Sequence, residues 1–140
     1  MTYYAVIDTN VLVSAVLNWE SVPGSIIDLT FNGIIVPLLN EEILWEYETV
    51  LSRPKFHLTE DIVADIISEI RKCAIFINAE HLDITLPDPK DLVFYEVTMD
   101  ARKSKDARLV TGNIKHFPAK PYVVTPRQFL DLILEGTNEQ

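Results

Sequence analysis

The run Tyr3-Tyr4-Ala5-Val6-Ile7 is apolar and β-type, it ends on Asp8, and a helical pattern starts at once in Thr9-Asn10-Val11-Leu12-Val13. A strand that gives way directly to a helix opens a βαβ unit, and strands joined through helices pair in parallel. Open sheets of that kind bind their ligands outside the carboxyl ends of the strands, where Asp8 places an ionisable group. Taken alone, Asp8 also reads as an N-cap, because Asp is favoured just before a first helical turn.

The rest of the chain repeats the alternation. Val11 to Leu17 and Pro23 to Phe31 carry helical patterns parted by a break at 18–22, with Pro23 suited to a first helical position and Gly33 to an exit. Ile34 to Pro37 reads as a short buried strand. A helix follows from about Glu41 to Ser52, capped by Asn40 and stopped by Pro54. The next helix spans about Asp61 to Ala74 behind Thr59, with Ile62, Val63, Ile66, Ile67 and Ile70 on one face. Ile84 to Leu86 is the candidate third strand, Pro87-Asp88-Pro89 a turn, and Asp91 to Lys103 a helix. Ala107 to Thr111 and Tyr122 to Val124 are strands four and five. Thr125-Pro126-Arg127-Gln128 has the form of a capping box and opens a last helix to about Leu134, which Gly136 can close. The expected architecture is a single α/β domain over residues 1–140, three-layered α/β/α, with a mainly parallel central sheet covered on both faces.

With 48% hydrophobic residues and a net charge of −9, the composition is that of a globular protein able to bury a core. No apolar run approaches the ~20 residues of a membrane span, and the start lacks a signal-peptide pattern, so a soluble, cytoplasmic protein is expected, without membrane partners. The single Cys73 excludes an intrachain disulfide and reads as core packing. Acidity argues against salt-bound coating of nucleic acid. The charge is uneven, however: residues 1–52 hold no Lys or Arg, and eight of the twelve basic residues lie from Lys90 onward. Arg102, Lys103, Lys105 and Arg108 form one basic cluster, Lys115, His116 and Lys120 another; either can be a solvated face or a rim for phosphate.

Four polar positions fall just after four strands: Asp8, Glu46 within the second strand's following helix, Asp91 at the opening of a helix, and Asn113 in Leu109-Val110-Thr111-Gly112-Asn113. In a parallel sheet these share one edge. Glu46 lies on the shoulder of its helix's apolar stripe, between Ile43 and Val50, where a carboxylate is costly unless paired or bound to a cation. Several hard oxygen donors around one cleft suit Mg²⁺ or Mn²⁺. His57, His81 and His116 show no zinc-ligand spacing, Gly is too scarce for a phosphate-cradling loop, and no Ser/His/Asp or Cys/His nucleophile order is evident.

The ordered set Asp8-Thr9-Asn10-Val11, Glu46-Tyr47-Glu48-Thr49-Val50-Leu51, Asp88-Pro89-Lys90-Asp91-Leu92-Val93-Phe94 and Leu109-Val110-Thr111-Gly112-Asn113 resembles the acid motifs of PIN-domain nucleases, particularly the toxin-like ribonucleases of prokaryotic toxin–antitoxin pairs. The resemblance covers essentially the whole chain. It implies a divalent-metal-dependent endoribonuclease acting on single-stranded RNA, with a small antitoxin protein as partner and a homodimer as a further association. Carried over by position, Asp8 and Asp91 are implied as the main Mg²⁺ or Mn²⁺ ligands, with Glu46 orienting a water or ligating directly. Thr111 is implied to hydrogen-bond Asp8, and Asn10 to shape the same pocket. Arg102, Lys103, Lys115 and His116 are the candidates for substrate contact. Asn113 departs from the pattern, since many relatives carry an acid there; a carboxamide can still ligate but brings one negative charge fewer. Asp88 and Glu96 are candidate substitutes.

Two other readings stay open. A catalytically weakened PIN domain would serve as a binding or partner protein, in keeping with Asn113 and the net acidity. Trp45, pointing away from the Ile43/Tyr47/Leu51 stripe, would then pack against a neighbouring helix or a second chain. A haloacid-dehalogenase-like phosphatase would use Asp8 as nucleophile, but it needs a later lysine and acidic pair, for which only Lys115, Lys120, Asp131 and Glu135 remain.

Overall fold

In the computed structural model, which describes residues 1–138, strand β1 (Tyr3–Ile7) lies at the centre of a five-stranded sheet. Around it stand β2 (Ile35–Leu39), β3 (Ile75–Phe76), β4 (Ala107–Val110) and β5 (Val123–Val124), in the order β3-β2-β1-β4-β5. Every pairing is parallel: Tyr3 stands opposite Ile35, Ile7 opposite Val110, and Leu109 opposite Val123. Ala5, Val6, Ile35, Leu38, Leu39, Leu109 and Val110 are fully buried, as strands covered on both faces must be.

Helices α1 (Thr9–Leu17) and α2 (Val22–Phe31) connect β1 to β2, and α3 (Glu41–Leu51) and α4 (Glu60–Cys73) connect β2 to β3. Helix α5 (Leu92–Ala101) precedes β4, and α6 (Pro126–Asn138) follows β5. Helix α2 packs on α1, α4 and α6, whereas α5 packs on β1, β2 and β4. Right-handed crossovers explain this division. Stepping outward from β1 to β3 lays α1, α2 and α4 on one face, and returning to β4 lays α5 on the other. The sheet order therefore reverses beside β1, and a crevice opens between the carboxyl ends of β1 and β4, where such sheets bind ligands.

The helix boundaries follow from local chemistry. Asn40 Oδ1 accepts from Ile43 N at 2.9 Å and Thr59 Oγ1 from Ile62 N at 3.2 Å, as side-chain caps do. The Thr125/Gln128 capping box is reciprocal, with Thr125 N donating to Gln128 Oε1 at 2.9 Å and Gln128 N to Thr125 Oγ1 at 3.1 Å. At the end of α2, Gly33 has φ +82°, its amide bonds Thr30 O, and Ile34 N bonds Leu29 O. This pair of bonds forms a Schellman motif, and only glycine enters its left-handed position without strain.

Three expectations need correction. The third strand is Ile75–Phe76, not Ile84–Leu86: it pairs with Leu38–Leu39 as soon as α4 ends, and Ile77 N continues the ladder to Leu39 O at 2.8 Å. Residues 84–86 run between side-chain anchors ahead of Pro87 and Pro89, neither of which has an amide to give a ladder. Gly136 does not close the last helix, which runs on to Asn138. A Cβ at Gly136 would lie 2.2 Å from the Tyr3 hydroxyl, so close approach to β1 explains the glycine. Trp45 is 66% exposed, so neighbouring helices cover little of it. No helix among the described residues is long and apolar enough to cross a membrane.

Candidate active site

Asp8 directly follows β1 and is almost fully buried. Although it stands at the N-terminus of α1, its carboxylate makes no capping bond. Instead Oδ2 accepts from Thr111 Oγ1 at 2.7 Å, across from β1 to the end of β4, and Thr111 Oγ1 in turn accepts from Asn113 N at 2.9 Å. The N-cap reading of Asp8 thus gives way to a contact between strand ends. Asn10 Oδ1 approaches Gly112 N at 3.5 Å, closing the same junction from the first turn of α1.

Glu46 reaches this place because its neighbour is anchored. The Tyr47 hydroxyl, buried, donates to Ile7 O at the end of β1, which fixes the rotation of α3 and turns Glu46 toward α1. There its carboxylate accepts from the Thr9 hydroxyl. Asp91 ends the 3₁₀ turn Pro89–Asp91 and its side chain makes no capping bond to the helix it precedes; its Oδ2 stands 3.1 Å from His116 Nδ1.

These side chains line one cleft of about 340 Å³, which contains Asp8, Asn10, Glu46, Asp88, Lys90, Asp91, Asn113 and His116. Its electrostatics are those of crowded acids. Burial raises Asp8 from 3.8 to about 6, the Asp91 charge adds to the rise, and the Thr111 and Thr9 hydrogen bonds and His116 oppose it. Glu46 is raised by burial and by Asp8 and Asp88, against the Thr9 hydrogen bond and Lys90. Asp91 is raised by burial, then by Asp88 and Glu46, against His116. Three carboxyls in one cleft hold protons more tightly than usual, chiefly because burial strips them of water and further because they face one another. Among the described residues, no three of His, Cys, Asp and Glu stand around a common point as a bound metal requires.

The PIN domain profile matches residues 4–115, a span that includes all four acid-motif positions. The chain belongs to the PIN domain family. The uncharacterized protein MJ1680 of Methanocaldococcus jannaschii is 30% identical to it over 111 residues, covering 77% of this chain and 69% of that protein. The phosphatase alternative finds no support in this PIN domain. Its required late acids would ride on α6, where Glu135 lines a pocket with Tyr3 and Tyr4 at the amino end of β1, whereas Asp8 follows the carboxyl end of that strand.

The structure gathers some of the sequence-selected residues and scatters others. Asp8, Asn10, Glu46, Asp91, Asn113 and His116 share the cleft, and Thr111 braces it from below. Arg102 and Lys103 do not belong to it. Arg102 follows α5 at the amino edge of the sheet, where Nη1 donates to Ala107 O at 2.6 Å and the guanidinium lies 4.1 Å from the Tyr122 ring centroid; Lys103 pairs with Asp100. Lys115 borders an adjoining groove of about 610 Å³ with Ile114, Phe117 and Lys120. Glu96 is no substitute ligand either: it is buried on α5, accepts from Leu82 N at 2.6 Å and does not line the cleft. Sequence reasoning missed Lys90 as the cleft's own cation, although it sits between Asp88 and Asp91. It also missed Phe56, Val13 and Val50 as the apolar part of the lining.

Proposed function

We propose that this PIN domain, taken over residues 1–140 as one unit, is a Mg²⁺- or Mn²⁺-dependent endoribonuclease that cuts single-stranded RNA and works in the cytoplasm as the toxin of a toxin–antitoxin pair. The observation that carries this reading is the convergence of Asp8, Glu46 and Asp91 in one cleft with all three carboxyls raised. Acids so placed are stabilised by a cation, and the donor set of carboxylate and carboxamide oxygens suits a hard divalent ion. The fit is one of chemistry and charge; among the described residues the acids do not stand around a common point. Asp8, Glu46 and Asp91 would hold the ion, with Asn113 Oδ1 as a neutral fourth donor. When bound, it would supply Lewis acidity, lowering the pKa of a water and offsetting charge that grows on the phosphate.

The chain's own groups do the positioning. Thr111 fixes one oxygen of Asp8, Thr9 holds Glu46 and His116 holds Asp91, so each carboxylate has one oriented partner. Lys90, in the same wall, offers an ammonium to a phosphate oxygen; this replaces Arg102 and Lys103 as the phosphate contact, with His116 and Lys115 along the rim.

The test is cleavage of a mixed-sequence single-stranded RNA pool with Mn²⁺, with chelator, and by Asp8→Asn protein. Metal-dependent cutting lost in the variant upholds the reading. If neither the parent nor Asn113→Asp cuts any RNA, the second reading stands: a PIN domain retained for binding, favoured by the open donor arrangement and the carboxamide at Asn113.

A further inference from the structure

The cleft has a lining of two kinds. Beside the acids it includes the apolar side chains of Val13, Val50 and Phe56. A cation site alone has no use for an aromatic ring, and Phe56 stays partly exposed in the lining that holds the carboxylates instead of joining the buried core. A ligand that meets both kinds of lining carries an anionic group for a cation held by the acids and a flat apolar surface close to it. We infer that Phe56 is a stacking platform for the nucleobase next to the cut phosphate, a subsite that rests on the nuclease reading above and names how the substrate is held.

The backbone around Phe56 is built to hold the ring still. Phe56 ends the 3₁₀ turn Pro54–Phe56, which has proline at its first position. Arg53 N bonds Val50 O, Phe56 N bonds Arg53 O and His57 N bonds Pro54 O, each at 3.1 Å. His57 then takes the left-handed conformation, φ 54° and ψ 31°, which L residues seldom adopt and which turns the chain sharply away. An aromatic ring on so constrained a turn loses little entropy when a base covers it. Lys55 Nζ stands 5.1 Å from the ring centroid, adding a cation beside the stacked pair. Stacking accepts any base, since every base has a π face, and it needs an unpaired strand; the subsite therefore selects single-stranded over duplex RNA without reading sequence.

The experiment uses a short labelled single-stranded RNA whose cut bond has been mapped, and matched RNAs carrying one abasic position beside that bond. With Mn²⁺, Phe56→Ala should raise KM about tenfold with a smaller change in kcat, and Phe56→Trp should restore the parent KM. The abasic RNA should lose about the same factor against the parent and little against Phe56→Ala. Melting curves of both variants report folding, and Phe56→Trp keeps the test intact if Phe56→Ala proves unstable. If RNA is cut but KM and the abasic penalty do not depend on Phe56, the subsite is overturned and the nuclease reading survives. If nothing is cut, equilibrium binding of a short single-stranded RNA and of its fully abasic counterpart decides. Affinity that depends on Phe56 and on the base upholds the subsite while the nuclease reading falls; affinity indifferent to both overturns the subsite as well.

Discussion

Glu96 and Asp8 are buried to the same depth, 5% and 6% exposed, yet they sit in unlike surroundings. Glu96 faces donors: the Leu82 amide at 2.6 Å and His81 Nδ1 at 3.3 Å, which together tie the segment before Pro87 to α5. Asp8 accepts from the Thr111 hydroxyl and the Thr9 backbone but stands in the field of Asp91, which His116 only partly opposes. Depth of burial therefore does not mark the functional carboxylate. What differs is how the burial is answered: desolvation raises Asp8 and the Asp91 charge adds to the rise, a condition a folding protein retains when a ligand is to relieve it. The contrast predicts that the two acids respond oppositely to the same removal.

The largest effect is expected in cleavage. Asp8→Asn should lower the metal-dependent rate on the order of a hundredfold or more, whereas Glu96→Ala, if kept below its melting point, should cut at nearly the parent rate. Equal losses in single-turnover assays would erase the distinction.

Next in size is the pH dependence of the metal-free protein. Asp8 is raised from 3.8 to about 6, so between those values the native state keeps a proton that the unfolded chain has released. Stability is then full below about pH 4 and falls as pH rises through 6, by about 3 kcal/mol from Asp8. Glu46 and Asp91, also raised, act with the same sign. Urea melts across pH 4 to 8 should show this fall, and Asp8→Asn should flatten much of it; a slope unchanged in the variant would mean that Asp8 is not the crowded group.

Glu96→Ala comes third. It leaves the Leu82 amide without its acceptor and should cost about 2 kcal/mol by denaturant titration, with the stabilisation by added Mn²⁺ unaltered. The smallest effect tests the cleft's missing charge. Asn113→Asp should tighten Mn²⁺ binding about tenfold, or 1.4 kcal/mol, in calorimetric titration, while lowering metal-free stability because one more acid joins the cluster. Looser binding in the variant would show that Asn113 stands clear of the ion.

Much of this was legible because local signals agreed with the tertiary ones. The strand-to-helix step at Asp8, the caps Asn40 and Thr59, the Thr125/Gln128 box and the Gly33 exit each carry a local mechanism that the fold leaves intact. Glu46 was legible from helical phase. The third strand was not, because two residues at an edge, both exposed, leave no period to read, while Ile84 to Leu86 looks apolar for a different reason: Leu86 alone enters the core. Arg102 and Lys103 misled because a cluster in sequence says nothing about which sheet edge it reaches. Helix α5 spans the sheet, so Asp91 and Arg102 lie at its opposite ends. Contacts such as His116 with Asp91, 25 residues apart, and the reach of Phe56 into the cleft arise only when the chain is folded.

The central place of β1 bears on how the protein comes apart. Asp8 leaves the strand with neighbours on both sides, whereas β3 is a two-residue edge joined to the rest through β2 alone. Amide exchange should therefore be fast at Ile77 and slowest along 4–7, and fluctuations that release the edge should leave the acid cleft assembled. The cleft and the whole fold should be lost in a single cooperative event, so heating would give a population of fully competent and fully unfolded molecules with no weakened form between them.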